Sequence, residues 1–142
     1  MAQLNYTAGQ SSLKVAKTHR DQMIGIAQSE LPLESCGILA GDGIRSRQVI
    51  QITNVLKSPV RYELSPAELV KAFWSMEESG LSILSFFHSH PNTPPHPSRT
   101  DVESHLYPEI PQIILGSVGG KWELRAYYLL KAGIKEVPIL FS

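Results

Sequence analysis

Apolar positions recur along the 142-residue chain in two rhythms, and the changes of rhythm predict alternating helices and strands. From Lys14 to Ser29, the side chains Val15, His19, Met23, Ile24 and Ala27 fall on one helical face, so the spacing predicts an amphipathic helix that Leu31-Pro32 ends. Cys36 to Ala40 is a short apolar run stopped by Gly41-Asp42-Gly43, the pattern of a buried strand and a turn, and Arg47 to Val55 alternates as its partner. Ser65-Pro66-Ala67-Glu68 then supplies a capping hydroxyl, a proline at the first helical position and an acid at the third. Leu69, Val70, Phe73 and Met76 carry that helix on to Gly80. Leu81 to Phe87 reads as a strand running into His88-Ser89-His90-Pro91, and a proline-rich loop from Asn92 to Pro97 leads to a second capped helix start at Ser98. Two strands follow, Gln112–Val118 and Trp122–Leu130, joined by a Gly119-Gly120 hairpin turn. Ile134 to Phe141 adds an edge strand, where Pro138 is tolerable. The first ten residues are polar and read as a flexible tail, and 11–142 as one domain. The predicted fold class is α/β, a single mixed β-sheet flanked by two or three helices.

Composition narrows what such a domain does. Apolar types make up 42% and charged types 18%, enough to build a core. Thirteen Lys and Arg balance thirteen Asp and Glu, which removes the electrostatic case for a nucleic-acid or anionic-membrane partner. A lone cysteine, Cys36, excludes internal disulfides and multi-cysteine zinc modules. No apolar run approaches the ~20 residues of a membrane span. The first residues carry neither a basic head nor an apolar stretch, so the expectation is a cytoplasmic protein.

The chemistry lies in the histidines. His88 and His90 are two apart on a strand, so both rings point to one face and can converge on a single ion, while Pro91 turns the chain away and leaves that face open. Ser98 and Asp101 share a helix face at i, i+3. That pair by itself is a helix-capping box, and the carboxylate can serve equally as a third metal ligand. Two histidines and one acid leave a fourth position for water, which is the catalytic form of a zinc site. Glu30 reads as a solvated residue of the last helical turn and Cys36 as a small core hydrophobe. His96 reads as an exposed loop residue, His105 as a helix-surface residue and His19 as a packing residue. Phe73 and Trp74 read as core or partner surface.

His88-x-His90-Pro91, six further residues and Ser98-x-x-Asp101 together resemble the JAMM motif of the MPN+ (Mov34/MPN/PAD-1) metalloproteases, of the compact prokaryotic type. Pro32-Leu33-Glu34-Ser35-Cys36-Gly37-Ile38-Leu39-Ala40-Gly41 resembles the same family's P-x-E-x-C-G-x-L-x-G, and the order of elements agrees along nearly the whole chain. The resemblance implies that His88, His90 and Asp101 hold one Zn2+ per chain. It implies Glu34 as the general base toward the attacking water, placed at the sheet's edge before a buried strand, and Ser98 as the donor to the oxyanion. It further implies an isopeptidase or peptidase acting at the C-terminal Gly-Gly of a ubiquitin-like or sulfur-carrier protein, and it leaves oligomerisation open. Two alternatives are a non-catalytic MPN scaffold and a hydrolase of another amide, such as a carrier–cysteine adduct or a cell-wall peptide. All five functional positions are present, which disfavours the scaffold. Neutral charge disfavours a DNA-repair-linked group that shares a similar string.

Overall fold

The computed structural model describes residues 5–142. The chain runs β1 (Leu13–Val15), α1 (Lys17–Glu30), β2 (Cys36–Gly41), β3 (Ser46–Ile52), α2 (Pro66–Glu78), β4 (Ser82–His90), α3 (Arg99–Ser104), β5 (Gln112–Val118), β6 (Lys121–Leu130), β7 (Gly133–Val137) and β8 (Ile139–Phe141). Six strands form one mixed sheet in the order β3-β2-β4-β5-β6-β7, with β4 and β5 parallel and the other pairs antiparallel. The mixed α/β expectation therefore holds, with a small parallel β1–β8 pair added to it.

Alternation along the strands sorts side chains onto two faces. Leu39, Phe87, Ile113 and Leu115 point to the face covered by Met23 and Ala27 of α1 and by Leu13 and Val15. Ile38, Ala40, Ile83 and Phe86 point to the other face, under Ala72 and Met76 of α2. Ile83 and Phe86 share a face despite their odd spacing because the β2–β4 register shifts between Leu39 and Ala40, and a bulge resets the alternation. No helix among the described residues is long and apolar enough to cross a membrane.

Two expectations need correction. The first helix begins at Lys17 rather than Lys14, because Leu13 and Val15 alternate inward as a strand on β8 and the chain becomes helical only after Ala16. Ile134 to Phe141 is not one edge strand: Pro138 has no N–H for the ladder, so β7 ends at Val137 and the chain leaves the large sheet to pair with β1. The histidine pair ends its strand, as expected, since β2 and β5 flank β4 as far as Cys36↔His88 and His90↔Gly116. Of the expected tail, residues 1–4 lie outside the described part. Beyond them, Tyr6 bridges Ile83 and the Gln10 amide donates to the Leu84 carbonyl at 3.1 Å. Both cap-based expectations hold: Ser65 accepts from the Glu68 N–H, and Gly80, at φ +69°, follows the end of α2.

Candidate metal centre

Four segments bring the site together at one end of β4. His88 and His90 project from the α2 face of that strand, in line with Phe86. Asp101 comes from the first turn of α3, where a reciprocal capping box holds it. The Ser98 Oγ accepts from the Asp101 N–H at 3.1 Å, and Asp101 Oδ2 accepts from the Ser98 N–H at 2.9 Å. Glu34 precedes β2, and the register Cys36↔His88 brings it alongside His90. Its backbone is tied on both sides by the segment after β3, since the Glu34 N–H donates to the Ser58 carbonyl at 2.9 Å and the Asn54 side chain donates to the Glu34 carbonyl at 3.0 Å. Glu34 is 5% exposed. This corrects the expectation of a sheet-edge position, for β2 is an interior strand between β3 and β4.

Distances decide what this cluster can hold. His88 Nε2, His90 Nε2 and Asp101 Oδ2 form a triangle with edges of 3.2, 3.2 and 3.0 Å. Ligand atoms ~2.0–2.1 Å from a tetrahedral zinc stand about 3.3 Å from one another, so the triangle already has the size of one face of such a site. Glu34 joins the two histidines in a looser set, with one atom from each residue within 4.8 Å of the others. Its Oε1 is buried without a hydrogen-bond partner, alone in that among the described residues. An orphaned carboxylate oxygen beside three crowded lone-pair atoms is a donor set suited to a divalent cation.

The electrostatics follow from the crowding. Burial pushes the Glu34 carboxyl up to about 7, with the neighbouring histidines opposing the rise and Asp101 adding to it. Burial also works to raise Asp101, but His88, His90 and the Ser98 N–H outweigh it and hold that carboxyl well below the usual range. At His90 burial opposes the charge, yet the Asp101 carboxylate leaves the ring above its ordinary value.

Around this centre lies a cleft of about 570 Å³, lined by Glu34, Pro59, Val60, His90, Thr93 and Ser98 among others. One wall is the loop after β4, which is anchored on the sheet. Pro95 is buried against Gly116, where a Cβ would meet the Pro95 nitrogen at 2.2 Å, so only glycine lets the loop lie down on β5. The Tyr127 hydroxyl adds a bond to the Pro95 carbonyl at 2.7 Å.

The chain can now be compared with known proteins. Residues 16–129 match the family model described as prokaryotic homologs of the JAB domain. The chain belongs to this family. It is 32% identical over 120 residues to the CysO-cysteine peptidase of Mycobacterium tuberculosis, covering 82% of each chain. It is 38% identical over 106 residues to the desampylase of Haloferax volcanii, covering 69% of this chain and 76% of that one. A protein of known structure from Desulfitobacterium hafniense superimposes with a TM-score of 0.85 at 28% identity over 92% of both chains. With peptidases among its relatives, this JAB-domain protein is a hydrolase.

All five residues singled out in the sequence gather in this centre. His96 is exposed in the cleft wall, its Nδ1 3.3 Å from the Tyr127 hydroxyl. Cys36 is a core residue whose thiol donates to the Ile52 carbonyl, with burial pushing it up to about 12. Glu30 accepts from the Gln51 amide at 2.8 Å, and the His19 Nδ1 sits 2.6 Å from the Ser46 hydroxyl. Phe73 packs on the α2 core and Trp74 is exposed. His105 needs correction: it lies just past α3 and turns inward, because Gln112 and the Tyr107 carbonyl offer its ring two polar partners. Two neighbours of His88 were missed. Tyr62 stacks on its ring at 4.4 Å between centroids, and the Gln112 Oε1 lies 3.3 Å from its Nδ1. A polar amide heading the apolar run of β5 was a signal for Gln112, whereas no local pattern points to Tyr62.

Proposed function

We propose that the chain is a zinc-dependent peptidase or isopeptidase that hydrolyses the amide joining the C-terminal Gly-Gly of a ubiquitin-like or sulfur-carrier protein to an amine. His88, His90 and Asp101 are the metal ligands. The observation that carries this reading is the triangle of bonding size with the unpartnered Glu34 oxygen beside it. Asp101 closes the triangle as the third ligand, which leaves Glu34 to handle a proton. Zinc held there supplies Lewis-acid polarisation and brings the pKa of a water it holds to ~7.

Glu34 is matched to that acidity. Its carboxyl titrates near neutrality in the buried site, so it takes a proton from water and returns it to the leaving amine without a large mismatch. Ser98 keeps a role beyond its cap. The cap uses its oxygen as an acceptor, so the hydroxyl proton remains available to a developing oxyanion. The cleft lined by Pro59, Val60, Thr93 and Pro94 gives a substrate tail a place to lie beside His90 and Glu34. The names of the mycobacterial and haloarchaeal relatives support a substrate of the protein-carrier kind.

The test is a cleavage assay on carrier proteins ending in Gly-Gly fused to a peptide, before and after chelation and zinc return. Activity should vanish with chelator and recover with zinc. Asp101→Ala should lower bound metal, by elemental analysis, from about one per chain. Unchanged stoichiometry contradicts the ligand set.

A further inference from the structure

Behind the metal ligands lies a second polar chain that the proposed reaction does not use. The His105 Nε2 lies 2.6 Å from the Tyr107 carbonyl oxygen, and its Nδ1 lies 3.2 Å from the Gln112 Nε2. The Gln112 Oε1 in turn lies 3.3 Å from the His88 Nδ1. A backbone carbonyl only accepts, so it settles the direction of every bond that follows. His105 must carry its proton on Nε2, which leaves Nδ1 as an acceptor. Burial keeps His105 below its ordinary value, consistent with a neutral ring. The Gln112 amide then turns its NH2 to His105 and its oxygen to His88. The carboxamide oxygen accepts from His88 Nδ1–H, and His88 Nε2 is left with a lone pair facing His90 and Asp101.

We propose that His105 and Gln112 are positioning residues: anchored on the Tyr107 carbonyl, they fix the tautomer of His88 and so prepare its Nε2 for the metal. The inference rests on His88 being a ligand, as read above. His90 reaches the same state by a shorter route, because its Nδ1 faces the Pro94 carbonyl directly at 3.4 Å. The two ligands therefore differ. One is oriented by backbone, and the other by two side chains that substitution can interrupt. Outer partners of this kind typically contribute 10- to 100-fold in metal affinity.

The experiment uses the full-length chain and zinc in competition with a chromophoric chelator. His105→Phe should weaken zinc binding about 10- to 100-fold, and Gln112→Leu by a similar factor. Their combination should cost little more than either alone, since both cut one chain. In a Gln112→Glu background the carboxylate accepts from His88 without help, so adding His105→Phe should change the affinity less than threefold. Imidazole nitrogen NMR on the metal-free wild type gives a readout that needs no variant to fold, and it should show His105 protonated on Nε2 and not on Nδ1. A His105 proton on Nδ1, or His105→Phe binding zinc as tightly as wild type, overturns the relay. Wild-type protein that binds no zinc at all overturns the metal reading itself, so the two failures are distinguishable.

Discussion

The two faces of the large sheet are made from the same strands and serve opposite ends. On the α1 face, Leu39, Phe87, Ile113 and Leu115 meet Met23 and Ala27 in an apolar layer. On the α2 face the layer is apolar at Ala72, Met76 and Phe86 and then, two residues along β4, becomes His88, His90, Gln112, Asp101 and Glu34, all buried. Neighbouring positions of one strand thus divide their tasks. Phe87 contributes burial to one side, while Phe86 and His88 lead from core to chemistry on the other. The lesson is energetic. The dry face can afford an unsatisfied carboxylate on its reverse, because one crowded polar cluster costs a few kcal/mol against a much larger apolar burial.

Substitutions on each face should separate these roles. Glu34→Gln has the largest expected effect: zinc content stays at the wild-type level while turnover falls by about 100- to 10,000-fold in the carrier-fusion assay. Turnover within tenfold of wild type would move the base elsewhere. On the dry face, Phe87→Ala should do the reverse. Stability falls by about 3–5 kcal/mol in denaturant titration, while the folded fraction keeps its zinc and its kcat. A comparable loss of zinc per folded chain would show that the faces are not independent.

A smaller effect sharpens the comparison through pH. In metal-free protein, Glu34 titrates near 7 when folded and near 4.5 when unfolded, so the folded state is penalised as pH rises from 4.5 through 7. Below 4.5 the carboxyl is neutral in both states and the penalty disappears. Glu34→Gln should therefore be more stable than wild type at pH 8, by up to about 3 kcal/mol, with the gap closing toward pH 4.5. A gap independent of pH would contradict a buried carboxylate. The smallest effect concerns Cys36. With its thiol near 12, only about one in ten thousand is ionised at pH 8, so thiol reagents should label it only on unfolding. Prompt labelling of the native chain would show that β2 opens locally.

Much of this was legible in the chain itself, for local reasons. The capped starts at Ser65 and Ser98 and the hairpin at Gly119-Gly120 need only neighbouring residues, so pattern sufficed. His88, His90, Ser98 and Asp101 sit on one short stretch and Glu34 in a second signature, so the site's members could be named. What pattern did not show came from long range. Leu13 and Val15 are a strand only because β8 lies beside them, Glu34 is interior only because β3 covers β2, and Tyr62 reaches His88 by tertiary packing alone. His105 and Gln112 escaped for the same reason, since their bond joins residues on different elements.

The strand that carries both histidines is laced to a neighbour along each side, and that placement sets where the molecule is free to change. His90, in the cleft wall, is held by the sheet itself. Any retuning of selectivity, by evolution or by an engineer, falls to exposed lining residues such as Val60, which can be exchanged without disturbing the His88, His90 and Asp101 cluster.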